Sequence, residues 1–585
     1  MSVLAGKTAD KGWRSVILEM VTGLRAAVLR FPVPTLFVAA ATIQANLVIL
    51  GIGLLTGDRQ PGASDEILAF SFQCGALAAL AAALFGEARG LAPALRSAMA
   101  LAAGITATAA LAFPRTFLAT EWTLLPALAG LVLVAPFILR GSSGSFWMFS
   151  ARVAFAAILG ILALLLFAGG ISAILASLTV LFGLTVPEEL YQHVWASTGL
   201  FAAPLFALGQ FPREFDEQPS HAMAGFMDRG MRALGDFVAA PLLIVYAVIL
   251  HLYALKIVFT GEVPEGQIGW LVLVYGLCIF GALLVINPFF DHARAPTRLF
   301  LRLWPFFLPI PLVLLFYALA VRVSAYGITP ERYLLGLFGL VIAAILLVQL
   351  WPRLRGDIRV IAAVPAAALL FASFGPQGAL GVSLASQTGR FLAIVQNPPV
   401  EGKRHDEALS ALQFLESQQA LARVAPAGAD ASDQTYEAIA RAWGLDPHKA
   451  IGGPSGFALS EGSTPSAIAV TGFDTVVQNV QLGVSADRPV SVRLPSGPQL
   501  LFTLEPDAIV VAIGEERTRF PLAAGDIEQM TRIGSAGAPV EIPLESGGRR
   551  IMVLPSYLYA DVGEEPQIQN LQGMIALRSQ DWTQR

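Results

Sequence analysis

The chain has 585 residues, of which 55% are hydrophobic and only 14% are charged. Soluble domains carry about 25% charged residues, and the deficit here lies mainly in the first two-thirds of the sequence. The composition therefore predicts a polytopic membrane protein. The net charge of −4 is too mild to argue for a nucleic-acid partner, and none is predicted. The two cysteines, Cys74 and Cys278, lie inside apolar segments, so no disulfide is predicted.

Residues 1–32 predict an amphipathic helix on the cytoplasmic membrane surface. Apolar residues recur at helical spacing, while basic residues are spread through the segment, unlike those of a secretory signal. The apolar positions are Trp13, Ile17, Met20, Leu24 and Val28. An ordinary soluble helix is the alternative, and it is disfavoured because an apolar run follows at once.

Eleven apolar runs follow, most of them near the 20 residues that one membrane span needs. They are 33–55, 67–86, 97–113, 122–139, 153–184, 193–210, 237–260, 267–288, 304–321, 333–351 and 360–374. The run 153–184 is too long for one span and barely long enough for two. We expect it to cross once, with a break near Gly169-Gly170 and a re-entrant or interfacial piece near 172–184.

The basic residues predict the orientation. If each run crosses once, the loops on the same side as the N-terminus hold 18 Lys and Arg residues and the loops on the opposite side hold five, while the soluble tail carries the other 15. Cytoplasmic loops carry the excess of Lys and Arg, which predicts eleven spans with the N-terminus in the cytoplasm. An odd number of crossings leaves the C-terminal domain outside the cytoplasm.

After Arg390 the sequence reads as a water-soluble domain. Two helices are predicted, one over Asp406–Val424 and one from Tyr436 to Trp443, with Asp433 as its N-cap and Gly444 as its stop. From Ala467, short apolar runs alternate with turn residues, as in a β-sheet or sandwich. The predicted strands include 490–494, 500–504, 508–513, 550–554 and 574–577.

The predicted fold is thus a polytopic α-helical membrane bundle of about eleven spans, followed by a small extracytoplasmic α+β, β-rich domain. The predicted boundaries are 1–32 for the N-terminal helix, 33–375 for the membrane domain, 376–464 for a junction and helical linker, and 465–585 for the β-rich domain.

Several short motifs resemble, in order, those of the bacterial membrane family of unknown function DUF4153. They are Tyr253-Ala-Leu-Lys-Ile257, Tyr326-Gly-Ile-Thr-Pro-Glu-Arg-Tyr333, Phe374-Gly-Pro-Gln-Gly378, Val382-Ser383 and Ser386-Gln387. The resemblance covers roughly residues 150–425. It implies a bacterial membrane protein and supplies no activity, and it does not extend to the β-rich tail.

No catalytic or metal-binding motif is found. The six histidines lack metal-ligand spacing, and HExxH, GxSxG and P-loop motifs are missing from the sequence, so no cofactor is predicted. The span interiors contain no Asp or Glu, which argues against a proton-coupled carrier. Gln44, Asn46 and Gln73 lie within spans, and helix–helix hydrogen bonding is favoured over a pore lining for them.

Polar residues near the membrane gather on the predicted outer side and form a candidate ligand or docking cluster. Its members are Tyr253, Lys256, Arg322, Tyr326, Glu331, Arg332, Gln387 and Arg390, with Glu188, Glu189 and His193 on the same side. The cations could bind an anionic ligand, because an arginine fork suits phosphate or carboxylate. They could equally pair with Glu331 or with carboxylates of the tail, or reach lipid headgroups.

Three functions remain open. The favoured one is a non-enzymatic envelope protein that binds an anionic envelope component or a partner protein. The second is a carrier for a lipid-linked or amphiphilic anion, which would show a water-accessible cavity at mid-membrane. The third is a membrane-embedded transferase, which would show a convergent carboxylate or histidine pair in a cleft.

Overall fold

A computed structural model gives the three-dimensional structure. It describes residues 25–54, 63–217, 230, 233–260, 267–286, 294–426, 435–447, 456–460, 472–483, 489–494, 498–522, 542–562 and 566–582. The chain divides into two compact units, Met1–Gln387 and Thr388–Arg585.

The first unit is helical, and proline often occupies the first turn of a helix, where its missing N–H costs nothing. The helices are α1 (Pro32–Ile49), α2 (Ala63–Ala88), α3 (Pro93–Ala112), α4 (Pro114–Phe117), α5 (Glu121–Val134), α6 (Ser143–Phe182), α7 (Glu188–Ser197), α8 (Ala203–Gly209), α9 (Ala240–Thr260), α10 (Gln267–Ile286), α11 (Ala295–Phe307), α12 (Pro309–Tyr326), α13 (Pro330–Gln349) and α14 (Ile358–Ala372). Helix α15 (Ala379–Val395) contains the boundary between the units.

Eight of the described helical segments are long and apolar enough to cross a membrane, so this is a multi-pass membrane protein by helix length and composition. They coincide with eight of the eleven predicted runs. The runs 122–139 and 360–374 contain only shorter apolar helices, and the run 193–210 is divided among α7, a π-helical turn and α8.

Helix α6 departs from its prediction. The expected break at Gly169-Gly170 is wrong, since one continuous helix of 40 residues runs through both glycines and ends at Gly183, which is left-handed with φ +64°. Such a helix is about 60 Å long, twice the thickness of a hydrocarbon core. In an apolar solvent an interrupted helix would leave peptide groups without hydrogen-bond partners, and this favours the uninterrupted form.

The predicted amphipathic helix lies mostly outside the described residues. Only its last residues, 25–30, are described, and they are helical. Phe31, which follows them, is completely buried.

Hydrogen bonds between helix ends fall into two sets. In the first set, Arg30 Nε donates to Glu87 at 3.0 Å, and the Arg30 guanidinium also donates to the carbonyls of Phe211 and Pro212. The same set includes the contacts Arg89–Ile138, Arg140–Asp216, Arg152–Glu217, Asp236–Arg294, Ser143–Asp357 and Arg359–Gly141. Through these bonds the set reaches every predicted cytoplasmic segment.

The second set joins the opposite ends of the helices. It includes the contacts Gln44–Asp65, Asn46–His193, Thr120–Ser373, Phe117–Gly375, Tyr326–Gln387 and Tyr333–Gln377. Among the described residues, no side-chain hydrogen bond joins a segment of one set to a segment of the other.

The second unit begins with helices α16 (Lys403–Ser417) and α17 (Tyr436–Ala442). The predicted apolar stripe is confirmed, because Leu409, Leu412 and Leu415 are completely buried. The predicted N-cap Asp433 lies outside the described residues. Thr435 caps α17 instead, with its hydroxyl accepting a hydrogen bond from the Ala438 N–H at 3.2 Å.

Nine described strands form two antiparallel sheets. The strands are β1 (Gly456–Ser460), β2 (Thr475–Gly483), β3 (Val490–Arg493), β4 (Gln499–Glu505), β5 (Ala508–Ile513), β6 (Glu516–Pro521), β7 (Ile542–Ser546), β8 (Arg549–Val562) and β9 (Pro566–Leu577). One sheet has the order β1-β8-β9-β2, with β7 also paired to β8, and the other has the order β3-β4-β5-β6. Both sheets contribute to one apolar core that contains Phe502, Phe520 and Trp582.

Candidate functional site

Two motifs that are distant in sequence meet at one place, which we name the junction: residues 326–333 together with residues 373–387. Gln387 is only 3% exposed, and its Nε2 donates to the carbonyl oxygens of Tyr326 at 3.1 Å and Ile328 at 3.2 Å. The Ser386 hydroxyl accepts a hydrogen bond from the Ile328 N–H at 2.9 Å. The amide and hydroxyl side chains therefore provide hydrogen-bond partners for backbone groups of Tyr326 and Ile328, where α12 ends.

Further bonds hold the junction together and tie it to the loop between α3 and α5. Within the junction, the Tyr333 hydroxyl donates to the Gln377 carbonyl at 2.8 Å. The Thr120 N–H donates to the Ser373 carbonyl at 3.0 Å, and the Gly375 N–H donates to the Phe117 carbonyl at 2.7 Å. The junction thus fastens the ends of several helices to one another.

Glycines explain the motif Phe374-Gly-Pro-Gln-Gly378. Gly375 is left-handed, with φ +80°, a conformation in which a side chain is strained. A Cβ at Gly381 would stand 2.7 Å from Pro376 Cα, and one at Gly378 would stand 2.9 Å from the Ala372 carbonyl oxygen. The start of α15 therefore packs directly against the preceding turn, and only glycine permits that approach.

Arg332 acts inside the junction. Its Nη1 donates to the carbonyl of Gly327 at 2.8 Å and to that of Tyr326 at 3.2 Å, and its Cζ lies 5.4 Å from the centre of the Tyr326 ring. The guanidinium therefore closes the loop between α12 and α13, using hydrogen bonds and a cation–π contact.

Among the described residues, four other predicted cluster members contribute no side-chain hydrogen bond to the junction: Tyr253, Lys256, Arg322 and Glu331. Lys256 and Glu331 are exposed, and Arg322 is half-buried. Among the described residues, no hydrogen bond or ion pair is found for any of these three side chains. Tyr253 packs against the apolar core of the helical unit. Lys256 and Arg322 therefore keep their N–H donors for other partners.

Arg390 has a partner within the second unit. Its Nη2 lies 3.2 Å from Glu407 Oε2, and the two side chains are only 15% and 26% exposed. An ion pair this sheltered is screened less by salt than an exposed one. A structural role is therefore sufficient to account for this arginine.

The predicted mid-span polar residues make helix–helix hydrogen bonds, which confirms the favoured interpretation. Asn46 Oδ1 lies 2.5 Å from His193 Nδ1, and its Nδ2 donates to the Ser197 hydroxyl at 3.2 Å. Gln44 donates to the Asp65 carbonyl at 3.1 Å, and Gln73 to the Leu200 carbonyl at 3.4 Å. Ser197 is thus hydrogen-bonded to Asn46 and not to the His193 imidazole. A serine nucleophile would instead be paired with its histidine base.

The sequence indicates the arginines of the predicted cytoplasmic segments but not their partners. Arg359 donates through Nε to both Asp357 oxygens, at 2.9 and 3.0 Å, and through Nη1 to the Arg140 carbonyl at 3.0 Å. Burial raises the pKa of Asp357, but the hydrogen bonds and charge of Arg359, with the Ser143 hydroxyl, outweigh it, so that pKa lies below its usual value. Acidic residues near the basic ones, such as Asp357 and Glu87, were the available signal.

No metal centre is found in the described part of the chain, where no group of three or more His, Cys, Asp or Glu side chains could hold an ion.

Comparison with known proteins gives one family and one weak relative. Residues 45–380 match the family model described as a domain of unknown function, DUF4153. An uncharacterized protein of Pasteurella multocida (strain Pm70) is 29% identical over 123 residues, which is 20% of this chain and 20% of that protein. The match thus covers about a fifth of the relative's length. No solved structure matches this chain.

Proposed function

The chain belongs to the DUF4153 family, and from this premise we propose that it is a bacterial inner-membrane protein that acts by binding rather than by catalysis. It crosses the membrane eleven times, with the N-terminus in the cytoplasm and the C-terminal α+β domain outside. Its outer face binds an anionic envelope component or a partner protein.

One observation carries the topology, namely the division of the interhelical hydrogen bonds into two sets. Each span of a membrane protein has one end on each side, so bonds between loops must join loops of the same side. The first set links segments that carry the excess of arginine, and the second links segments that carry few basic residues. This supports the crossing parity that the positive-inside rule predicts, with the first set in the cytoplasm.

The proposed binding surface consists of Lys256 and Arg322, the two cations whose N–H donors are not used by the junction. Arg332 and Gln387 are engaged with backbone carbonyls, whereas Lys256 and Arg322 have no described partner. An ammonium near the end of a span costs a few kcal/mol unless it reaches water or an anion. Phosphate or carboxylate groups at the outer surface are the partners that match this chemistry.

Binding should be measured with the full-length protein in lipid nanodiscs, using polyphosphate and polygalacturonate as soluble probes of phosphate and carboxylate chemistry. The double variant Lys256→Met, Arg322→Gln should lose several-fold in affinity for one of them. Arg302→Gln is the matched control, because Arg302 is exposed but lies in a predicted cytoplasmic segment.

Three outcomes separate the alternatives. Equal binding by the double variant and the control would refute the binding surface. Faster proteolysis near residues 426–428 with unchanged binding would assign the two cations to the C-terminal domain. Uptake of either probe into vesicles that depends on Lys256 would favour the carrier over the binding protein.

A further inference from the structure

A large cavity lies between α2, α3, α5 and α14 of the helical unit. Its volume is about 840 Å³, within the range of small-molecule sites, and nearly all of its lining is apolar. Alanines of α2 and α3 form its floor and one wall, among them Ala78, Ala103 and Ala107. We name this cavity the alanine groove.

The groove is long enough for an acyl chain. Its lining extends from Leu124 in α5 to Ile138, which follows the 3₁₀ turn Ala135–Phe137 at the end of that helix, a path of about 21 Å at 1.5 Å per residue. One leaflet of a bilayer core is about 15 Å thick. A lipid tail that enters at one end can therefore be held along its whole length.

A guanidinium lies at one end of the alanine groove. Arg89 Cζ is 3.7 Å from the centre of the Phe85 ring, and Arg89 Nη2 donates to the Ile138 carbonyl at 2.7 Å. Phe85 and Ile138 both line the groove, so the arginine is at its edge. Arg89 Nη1 is buried, and it has no hydrogen-bond partner among the described residues.

The neighbouring charges leave Arg89 without a counter-ion. Glu87, at the end of α2 and two residues before Arg89, is already paired with Arg30 at 3.0 Å. Arg96 adds a second cation nearby. Its side chain packs against α2 at Gly86, where an added Cβ would stand 3.1 Å from Arg96 Cγ. A partly buried guanidinium with unused donors is stabilised by an anionic oxygen, and phosphate suits its planar fork.

We propose that the alanine groove holds one acyl chain of an anionic phospholipid whose phosphate is bound by Arg89. The apolar groove supplies contact for the tail, and the adjacent cations supply complementarity to the headgroup. The lipid comes from the leaflet at the end of the helices that carries the first set of hydrogen bonds. This site is separate from Lys256 and Arg322, and it does not depend on the proposed function.

The test is native mass spectrometry of the purified full-length protein, titrated with phosphatidylglycerol and, separately, with phosphatidylcholine. The wild type should retain phosphatidylglycerol preferentially. Arg89→Gln should reduce that preference by about tenfold, as expected for a charge-assisted hydrogen bond. Arg89→Lys should keep part of it, and the control Arg302→Gln should keep all of it.

The groove itself is tested by filling it. Ala107 is 8% exposed and lines the groove, so Ala107→Leu should lower retention of both lipids without changing the preference between them. Ala176→Leu, at an exposed position of α6, is the matched control and should change neither.

Three results would overturn the proposal. Unchanged lipid retention in both Arg89→Gln and Ala107→Leu would show that the groove holds no specific lipid. Displacement of the lipid preference by inorganic phosphate alone would show that no tail is bound. A change of oligomeric state in Ala107→Leu with unchanged lipid retention would identify a second copy of the chain as the occupant.

Discussion

Gly381 gives the sharpest test of the junction. A Cβ at this position would stand 2.7 Å from both Pro376 Cα and the Pro376 carbonyl oxygen. These are backbone atoms of a turn that is fixed by hydrogen bonds, so they cannot move aside as the end of a flexible side chain can. Overpacking of this kind costs about 1–3 kcal/mol. Gly381→Ala should therefore destabilise the helical unit by that amount, a factor of about 5 to 150 in the unfolding equilibrium.

Gly389→Ala is the matched control in the same helix. A Cβ at Gly389 meets nothing within 4 Å, and alanine is a better helix former than glycine by about 1 kcal/mol. The two variants should consequently shift stability in opposite directions. The assay is unfolding of the full-length protein in mixed micelles, with hydrogen exchange followed at residues 326–333 and 373–387.

Equal stability of Gly381→Ala and Gly389→Ala, together with unchanged exchange in those two segments, would refute the close packing of α15 on the turn. Loss of protection confined to the two segments in Gly381→Ala would support it.

Three further changes should have measurable effects. Gln387→Leu should lower the free energy of unfolding by about 0.5–1.5 kcal/mol and raise hydrogen exchange of residues 326–328, because the carbonyls of Tyr326 and Ile328 lose a donor; unchanged exchange would contradict this. The pKa of Asp357 is lowered in the folded state, so its contribution to stability is present above its unfolded pKa of about 4 and is lost as the pH falls through the lower folded value. The unfolding midpoint should therefore change with pH below about 4 less steeply in Asp357→Asn than in the wild type, and identical acid profiles would contradict this. Thr435→Ala should destabilise the second unit by about 1 kcal/mol through loss of the α17 N-cap, measured against Ser417→Ala, whose hydroxyl caps no helix start.

Much of the fold can be predicted from the length of the apolar runs and from the spacing of apolar residues. Eight of the predicted runs are long apolar helices, and the leucine stripe of α16 is buried as its spacing predicted. Both features depend on burial of apolar surface, which sequence pattern reports directly. Paired glycines are a weaker signal, since α6 continues as a helix through Gly169-Gly170. In an apolar environment, water does not compete for the backbone N–H and C=O groups, so the helical hydrogen bonds are kept.

The candidate site was readable in part. The sequence motifs around Tyr326 and Phe374 indicate its position, and the structure joins them through Gln387 and Tyr333. Their partners are backbone carbonyls, and a carbonyl leaves no trace in a residue pattern. For the same reason Arg332 could not be distinguished from Arg322 by sequence, although only Arg332 closes a loop.

The alanine groove could not be predicted. Its lining comes from five helices, with α4 contributing only Phe117, and its volume depends on small side chains meeting across their interface. Alanine is frequent in many apolar runs of this chain, so the alanine content of α2 and α3 carries no signal. Arg89 was counted only as one of the basic residues that orient the protein.

The central claim is that the two hydrogen-bond sets mark opposite sides of the membrane, with the C-terminal domain outside the cytoplasm. Reporter fusions test it most directly. A reporter fused after Arg585 should be active only outside the cytoplasm, and one fused after Arg359, in the first set, only inside it. Cytoplasmic activity of the Arg585 fusion would contradict the account.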